Sequence, residues 1–213
     1  MPAGDISGLI LAGGSSSRMG FHKAHARLAG ETLLARAVHT LTGICHPIMV
    51  ASRDPSVLSA LPHGSSVILV QDEPPAAGPL GAMAAGLSAT QAPFTLVLAC
   101  DLALFPTSLG AYMAAIAAHE HGVQAVVPHW GRFWEPLAAV YARTCLPAIT
   151  AAIDDHRRRV TSFYDQVRLR PVEEQEITQF APPEVAFLNI NRPEDLLRAN
   201  TIILKESLPP GRI

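Results

Sequence analysis

Three glycines, three serines and two cations crowd one stretch near the start of the chain, Leu11-Ala12-Gly13-Gly14-Ser15-Ser16-Ser17-Arg18-Met19-Gly20-Phe21-His22-Lys23. Glycine lets a backbone take positive φ and approach a ligand closely. Runs of backbone N–H groups in such loops form concave seats for phosphate oxygens. Arg18 and Lys23 add fixed positive charge, and the serines add hydroxyl donors. The chemistry that suits this pattern is the cradling of a nucleotide's phosphates; the plain alternative is a flexible Gly/Ser connection. The best-known phosphate motifs do not fit. A Walker A loop needs Lys and Ser or Thr directly after its second glycine, and the dinucleotide fingerprint needs G-x-G-x-x-G. Here the glycines fall at 13, 14 and 20.

Two carboxylates could complete such a site. Asp101 directly follows Phe94-Thr-Leu-Val-Leu-Ala-Cys100, an almost continuously apolar run. A carboxylate at the carboxyl end of a central parallel strand lies where open α/β sheets bind ligands. Mg²⁺ takes one or two protein carboxylates plus phosphate oxygens and water, so Asp101 is the first candidate metal ligand. Its plain alternative is a turn aspartate ahead of Pro106-Thr107. Asp72 follows the apolar run Val67 to Val70 and opens a loop rich in proline and glycine, ending in Gly78-Pro79-Leu80-Gly81. It could accept hydrogen bonds from a base or ribose, with the next helix directing its N-terminus at the ligand. Otherwise it belongs to an ordinary crossover loop.

Further along, Pro128-His-Trp-Gly-Arg-Phe-Trp-Glu-Pro136 holds both tryptophans of the chain beside an arginine. Aromatics next to a guanidinium suit stacking on a flat heterocycle, of which a pterin is one; packing under a long hairpin is the alternative. Asp154-Asp-His-Arg-Arg-Arg-Val160 is the densest charge cluster. It reads as a solvated helix junction or as a grip on phosphate, which arginine matches bidentately. Near the end, Phe187-Leu-Asn-Ile-Asn191 looks strand-like, and alternation would put Asn189 and Asn191 on one face.

The elements that must position these residues follow from periodicity. Gly8 to Leu11, Ile48 to Ala51, Val67 to Val70, Phe94 to Cys100, Val123 to Val127, Leu137 to Tyr141 and Val185 to Ile190 read as strands. Leu33, Leu34, Ala37, Val38 and Leu41 fall on one helical face, with Gly43 as a stop. Asp54-Pro55 caps a short helix, a small-residue helix runs from about Leu80 to Thr90, and Thr107 to Ala118 forms another, with Thr107 as its cap. Strand and helix alternate. That order predicts an α/β fold of three layers, a mostly parallel central sheet with helices on both faces. One domain over residues 1–202 is expected, with 203–213 a frayed tail.

Composition bounds the function. The chain has 213 residues, 49% of them hydrophobic, and a formal net charge of −2. Bulk attraction to nucleic acid or to a membrane surface is not indicated. No apolar run reaches the length of a bilayer span, and the first residues lack the pattern of a signal peptide, so a cytoplasmic setting is expected. Cys45, Cys100 and Cys145 are widely spaced, with no CxxC pair, and read as buried reduced thiols.

The glycine stretch, Leu-Ala-Gly-Gly-x-Ser-x-Arg-Met-Gly-x-x-Lys, resembles the signature loop of nucleotidyltransferases acting on sugar phosphates, polyol phosphates and molybdopterin. Its Leu-Ala-Gly-Gly form is most similar to the molybdenum cofactor guanylyltransferases, the MobA family. The Gly-Pro-Leu turn after Asp72, Asp101, and the ending Asn189-Ile-Asn191-Arg-Pro-Glu-Asp-Leu196 resemble further family motifs in the same order. The resemblance runs from Gly8 to about Ala199. It implies transfer of GMP from GTP to the phosphate of Mo-molybdopterin, with Mg²⁺ as cofactor and pyrophosphate as second product. Transfer of CMP to molybdopterin, transfer to another small phosphorylated acceptor, and a non-catalytic nucleotide-binding module are the alternatives.

The resemblance also implies roles. Leu11, Ala12 and Gly13 would contact guanine and ribose through backbone groups. Gly14, Ser15 and Arg18 would cradle the phosphates, and Lys23 would offset charge on them. Asp101 would hold Mg²⁺, and Asp72 the nucleoside. Arg158, in an Arg-Arg-Val segment shared with the family, would grip the acceptor, with Asn189 and Asn191 on the acceptor or metal side. Implied partners are molybdoenzymes or their chaperones, for a monomer or weak homo-oligomer. The chain departs from the family at His22, where an aspartate is usual, at Leu102-Ala103, at Ser52 in place of an asparagine, and at Arg192, which replaces a capping threonine worth roughly 1 kcal/mol.

Overall fold

The strand Ile6–Leu11 (β1) is buried along its whole length, and the layers are built around it. The computed structural model describes residues 6–13, 23–71 and 77–207. After β1 come a small antiparallel pair, Arg27–Leu28 (β2) and Glu31–Thr32 (β3), and the helix Leu33–Thr42 (α1). Then follow Ile48–Ala51 (β4), Ile68–Val70 (β5), Pro79–Ala89 (α2), Phe94–Ala99 (β6) and Thr107–His119 (α3). Ala125–Trp130 (β7), Phe133–Trp134 (β8), Ala138–Ala142 (β9), Leu146–Asp154 (α4) and Leu169–Glu173 (β10) continue the chain. Two short helices, Glu174–Ile177 (α5) and Pro183–Ala186 (α6), precede the last, Pro193–Ser207 (α7).

The main sheet runs β10-β7-β9-β6-β1-β4-β5, with β8 attached to β7. Pairings β5–β4, β4–β1, β1–β6 and β7–β10 are parallel; β9 lies antiparallel between β6 and β7. The expected fold class is therefore the observed one. The sheet is buried on both faces, so its central strands are apolar without alternation. One face packs Ile10, Leu96 and Leu98 against Leu34 and Leu41 of α1 and Met113 of α3. The other packs Leu9, Met49 and Val97 against Leu80, Met83 and Leu87 of α2 and Ile149 of α4. Contact with α2 is close: a Cβ on Gly86 would lie 2.3 Å from Leu9 Cδ2, so only glycine lets the helix sit there. Two buried hydroxyls in the central strands satisfy each other, Ser7 Oγ and Thr95 Oγ1 at 3.0 Å.

Helix ends follow the sequence signals. Thr32 Oγ1 accepts the Ala35 N–H, and Gly43 closes α1. Asp54 caps a 3₁₀ helix over Pro55–Ala60. The cap position of α3, however, is Pro106 and not Thr107. Cys45, Cys100 and Cys145 are free and buried, as expected, and burial pushes the Cys45 thiol up to about 12.

Two further expectations are corrected. Val185 to Ile190 is not a strand. Pro182 and Pro183 start a turn of helix instead, with Ala186 N–H on Pro182 O and Phe187 N–H on Pro183 O. Residues 203–207 are not a frayed tail: α7 reaches Ser207, because Ile202 and Ile203 pack on a small apolar cluster around Leu28 and Leu33. The aromatic stretch forms the tip of the β7–β8 hairpin, turned by Gly131 at φ 56°. Among the described residues no helix is long and apolar enough to cross a membrane.

Candidate active site

Three side chains from distant parts of the chain meet at the carboxyl end of β6. Lys23 begins a 3₁₀ turn, Lys23–His25, pinned by the buried Ala24 and by the Ala26 N–H on the Lys23 carbonyl. Asp101 stands where β6 stops. The Cys100 N–H still bonds the Leu11 carbonyl of β1, and the Leu102 N–H turns back onto Ala99. Asn191 is held from two sides. The Ile190 N–H bonds the Asp101 carbonyl at 3.0 Å, and Asp195 Oδ2 accepts the N–H groups of Asn191 and Arg192 at 2.8 and 2.9 Å. That carboxylate supplies the cap that Arg192 cannot.

Lys23 Nζ donates to Asp101 Oδ2 at 2.9 Å and to Asn191 Oδ1 at 2.5 Å. The two charged side chains are 22% and 17% exposed, so the ion pair is shielded yet reachable by a ligand. A cation and two oxygen acceptors thus converge on one point at the ligand-binding edge of an open sheet. Such a point can exchange its internal partners for phosphate and metal.

The donor set fits Mg²⁺. A carboxylate and an amide oxygen meeting at one ammonium are hard oxygen ligands, and Mg²⁺ in enzymes is completed by phosphates and water rather than by an all-protein cage. Among the described residues no group of three or more His, Cys, Asp or Glu forms a closed cage.

The other expected residues divide. Leu11 and Ala12 are buried at the end of β1, and Gly13 is exposed. The Leu11 carbonyl accepts from Cys100 and the Ala12 N–H donates to Ala51, so sheet bonds occupy part of the expected contact surface. The groups left over begin at the Ala12 carbonyl and Gly13. Gly14, Ser15, Arg18 and His22 of the glycine stretch, and Asp72, lie outside the described residues. Ser52 is buried and turns its hydroxyl onto the Asp54 backbone. Asn189 is exposed and donates to the Phe187 carbonyl, so it does not join Asn191 at Lys23. Arg158 is exposed in the turn after α4, and among the described residues no bond joins it to the Lys23 cluster. Its neighbour Arg157 holds that turn through the Ser162 carbonyl and Asp155.

The two tryptophans do not form one stacking surface. They sit on opposite faces of the hairpin: Trp134 is paired with His129 and Trp130 with Phe133, and successive residues of a strand face opposite ways. Trp130 stacks on Phe187, centroids 6.4 Å apart, and Trp134 lies against His129 at 4.4 Å and edge-on to Tyr164. Trp130 Nε1 donates to Glu135 Oε1 at 3.1 Å. Burial raises the Glu135 carboxyl above its ordinary value, and the Trp130 bond opposes the rise. Sequence reasoning passed over this half-buried acid. Its only signal was a glutamate among aromatics ahead of a proline, in a stretch read for its rings.

Comparison with known proteins agrees with this geometry. A family model described as the MobA-like NTP transferase domain matches residues 8–170. A probable molybdenum cofactor guanylyltransferase of Pelotomaculum thermopropionicum is 32% identical over 207 residues, covering 97% of each chain. A molybdenum cofactor guanylyltransferase of Desulfosudis oleivorans is 31% identical over 199 residues, covering 93% of this chain and 96% of its own. Among solved structures, molybdopterin-guanine dinucleotide biosynthesis protein A of Archaeoglobus fulgidus superimposes with a TM-score of 0.79 at 22% identity, over 93% of this chain and 99% of that one. The 2-C-methyl-D-erythritol 4-phosphate cytidylyltransferase of Thermus thermophilus shares the fold at a TM-score of 0.68 and 19% identity, over 93% and 98%. The family model and the curated relatives show that the chain is a nucleotidyltransferase and belongs to the MobA-like NTP transferase family.

Proposed function

We propose that the protein transfers GMP from GTP to the phosphate of Mo-molybdopterin, giving Mo-molybdopterin guanine dinucleotide and pyrophosphate. The meeting of Lys23, Asp101 and Asn191 at the end of β6 carries the reading, and the names of the relatives supply the substrates. An oxygen of the acceptor phosphate forms a bond to the α-phosphorus of GTP. The bond from that phosphorus to the bridging oxygen breaks, and its electrons leave with pyrophosphate. The attacking oxygen is already anionic, so no strong general base is needed, and catalysis rests on positioning and charge neutralisation.

Lys23 carries the positive charge that negative phosphates require. It gives up a carboxylate and an amide as it turns to them. Asp101 and Asn191 would hold Mg²⁺ through their oxygens, and the ion would supply neutralisation of phosphate charge. Gly14, Ser15 and Arg18 seat the phosphates, Asp72 and the Ala12–Gly13 backbone hold the nucleoside, and Arg158 and Asn189 attend the acceptor. A cytoplasmic setting, with product passed to molybdoenzymes or their chaperones, belongs to the same reading.

The test is pyrophosphate release from Mo-molybdopterin and Mg²⁺ with GTP or CTP. We expect GTP to be turned over far faster. Faster release from CTP would overturn the guanylyl assignment, and no release from either would overturn the transfer itself.

A further inference from the structure

We infer that Glu135 is a specificity residue that reads the 2-amino-4-oxo edge of the acceptor's pterin ring, a role that rests on the acceptor proposed above. Its place in the fold points there. The Glu135 N–H bonds Pro128 of β7, and its carbonyl accepts the Ala138 N–H at 3.1 Å. Leu137, two residues on, accepts the Ala99 N–H through its carbonyl at 2.8 Å, two residues before Asp101. Glu135 therefore stands at the carboxyl edge between the ends of β7 and β6.

A second tie runs through its side chain. Trp130, which donates to Glu135, stacks on Phe187, and Phe187 opens the segment that ends in Asn191. The same segment is tied to Asp101 through the Ile190 N–H. Asp101 and Trp130–Glu135 thus bracket residues 187–191 from two ends. The glycine stretch follows β1 on one side of β6; Glu135 adjoins β9 and β7 on the other. A nucleotide on the β1 side leaves the Glu135 side for the acceptor.

A carboxylate at that position is informative. Both substrates carry phosphates, which a carboxylate repels, and the attacking group needs no base. Among the described residues Glu135 has no cation beside it, and its side chain has one hydrogen bond, from Trp130. Oε2 is left over, as is the second lone pair of Oε1. The ligand that a half-buried carboxylate favours is a pair of parallel N–H donors in a flat ring. The N3–H and 2-amino groups of a pterin are such a pair. The adjoining aromatic side chains give the ring a low-dielectric setting in which these bonds are strengthened.

The competing role is structural, as acceptor for the Trp130 indole alone. Glu135→Gln separates the two, since its amide oxygen still accepts from Trp130 while its NH₂ group meets the ring donors. We expect E135Q to melt like the wild type, to raise KM for Mo-molybdopterin roughly 10- to 100-fold, and to leave KM for GTP and kcat within about threefold. Binding of free pterin and of lumazine, which has an oxo group for the 2-amino group, is followed by quenching of tryptophan fluorescence. The wild type should prefer pterin, and E135Q should lose the preference. An unchanged acceptor KM in E135Q, or a changed Mg²⁺ requirement with acceptor KM unchanged, would overturn the role while the wild type still turns over. A wild type that releases no pyrophosphate from GTP with Mo-molybdopterin would instead remove the reading beneath it, and both fall. Should E135Q be misfolded by its melting curve, the pterin-over-lumazine preference of Glu135→Asp decides. A shortened carboxylate that kept wild-type discrimination and affinity would count against the role.

Discussion

At Lys23 one ammonium is shared between a carboxylate and an amide oxygen, and in the proposed transfer that sharing is what a substrate would undo. Replacing Lys23 with Ala removes the charge that meets the phosphates and leaves Asp101 and Asn191 partly exposed to water, where they can be solvated. Loss of a single charge-stabilising donor in a preorganised site costs roughly 10²–10³ in kcat. We expect Lys23→Ala to lose turnover on that scale while its melting temperature stays close to the wild type, measured by pyrophosphate release and calorimetry; an unchanged kcat would take Lys23 out of the machinery. That Lys23 and Asp101 are candidates was legible in the sequence because strand ends and glycine loops have a strong local pattern; that they pair is what the structure adds. Separating Asn191 from Asn189 was not possible there. Alternation assumed a strand, and the prolines at 182 and 183 had already ended that option. The place of Glu135 was hidden for a different reason: its tie to Pro128 and Trp130 depends on how the hairpin folds, which a linear reading does not give.

At the level of elements, β10, α5 and α3 are fastened by one ionic cluster far from any motif. Arg170 gives both guanidinium ends to Glu176 at 2.7 Å, and Tyr112 Oη donates to the same carboxylate at 2.6 Å. The Arg170 hydrogen bonds are the main cause that holds the Glu176 carboxyl at about 2, against an ordinary 4.5. A depressed carboxyl stabilises the fold fully above its unfolded value and loses that contribution as pH falls from about 4.5 toward 2. Glu176→Gln should therefore cost roughly 1.5–3 kcal/mol at pH 7, the range for hydrogen bonds to charged groups. The gap to wild type should close as the pH is lowered toward 2, read from urea melts across that range. A gap independent of pH would mean that the charge is not what matters. This cluster was illegible in the sequence, since Tyr112, Arg170 and Glu176 are ordinary surface types at separations of 6 to 64 residues. The strands and α1 were legible because burial on both faces, or on one helical face, imposes a period on sequence. The short β8 was not, because a two-residue strand cannot show one.

Over the whole molecule, the three site side chains share a foundation that is neither of the two main cores. Ala26, Leu28 and Leu33, just after Lys23, pack with Ala103, just after Asp101, and with Leu188 and Ile190, just before Asn191. Ala199, Leu196, Ile202 and Ile203 of α7 close this cluster from outside. The helix is thus a clamp on three separate segments, and its hold weakens if its last turns are lost. Ending the chain after Ile202 removes the partly buried Ile203, worth about half of a full isoleucine burial, or roughly 1 kcal/mol. In a domain of this size that lowers Tm by only about 2–4 °C. The local effect should be larger, because the low-stability parts of a fold open first. Amide exchange over 23–28 and 188–191 should quicken more than in β1 and β6, and kcat/KM should fall about tenfold, one order for roughly 1.4 kcal/mol of lost positioning. Equal exchange and activity in the shortened chain would show that residues 203–213 are the dispensable tail that their sequence suggests, and that α7 holds the site by its first turns alone.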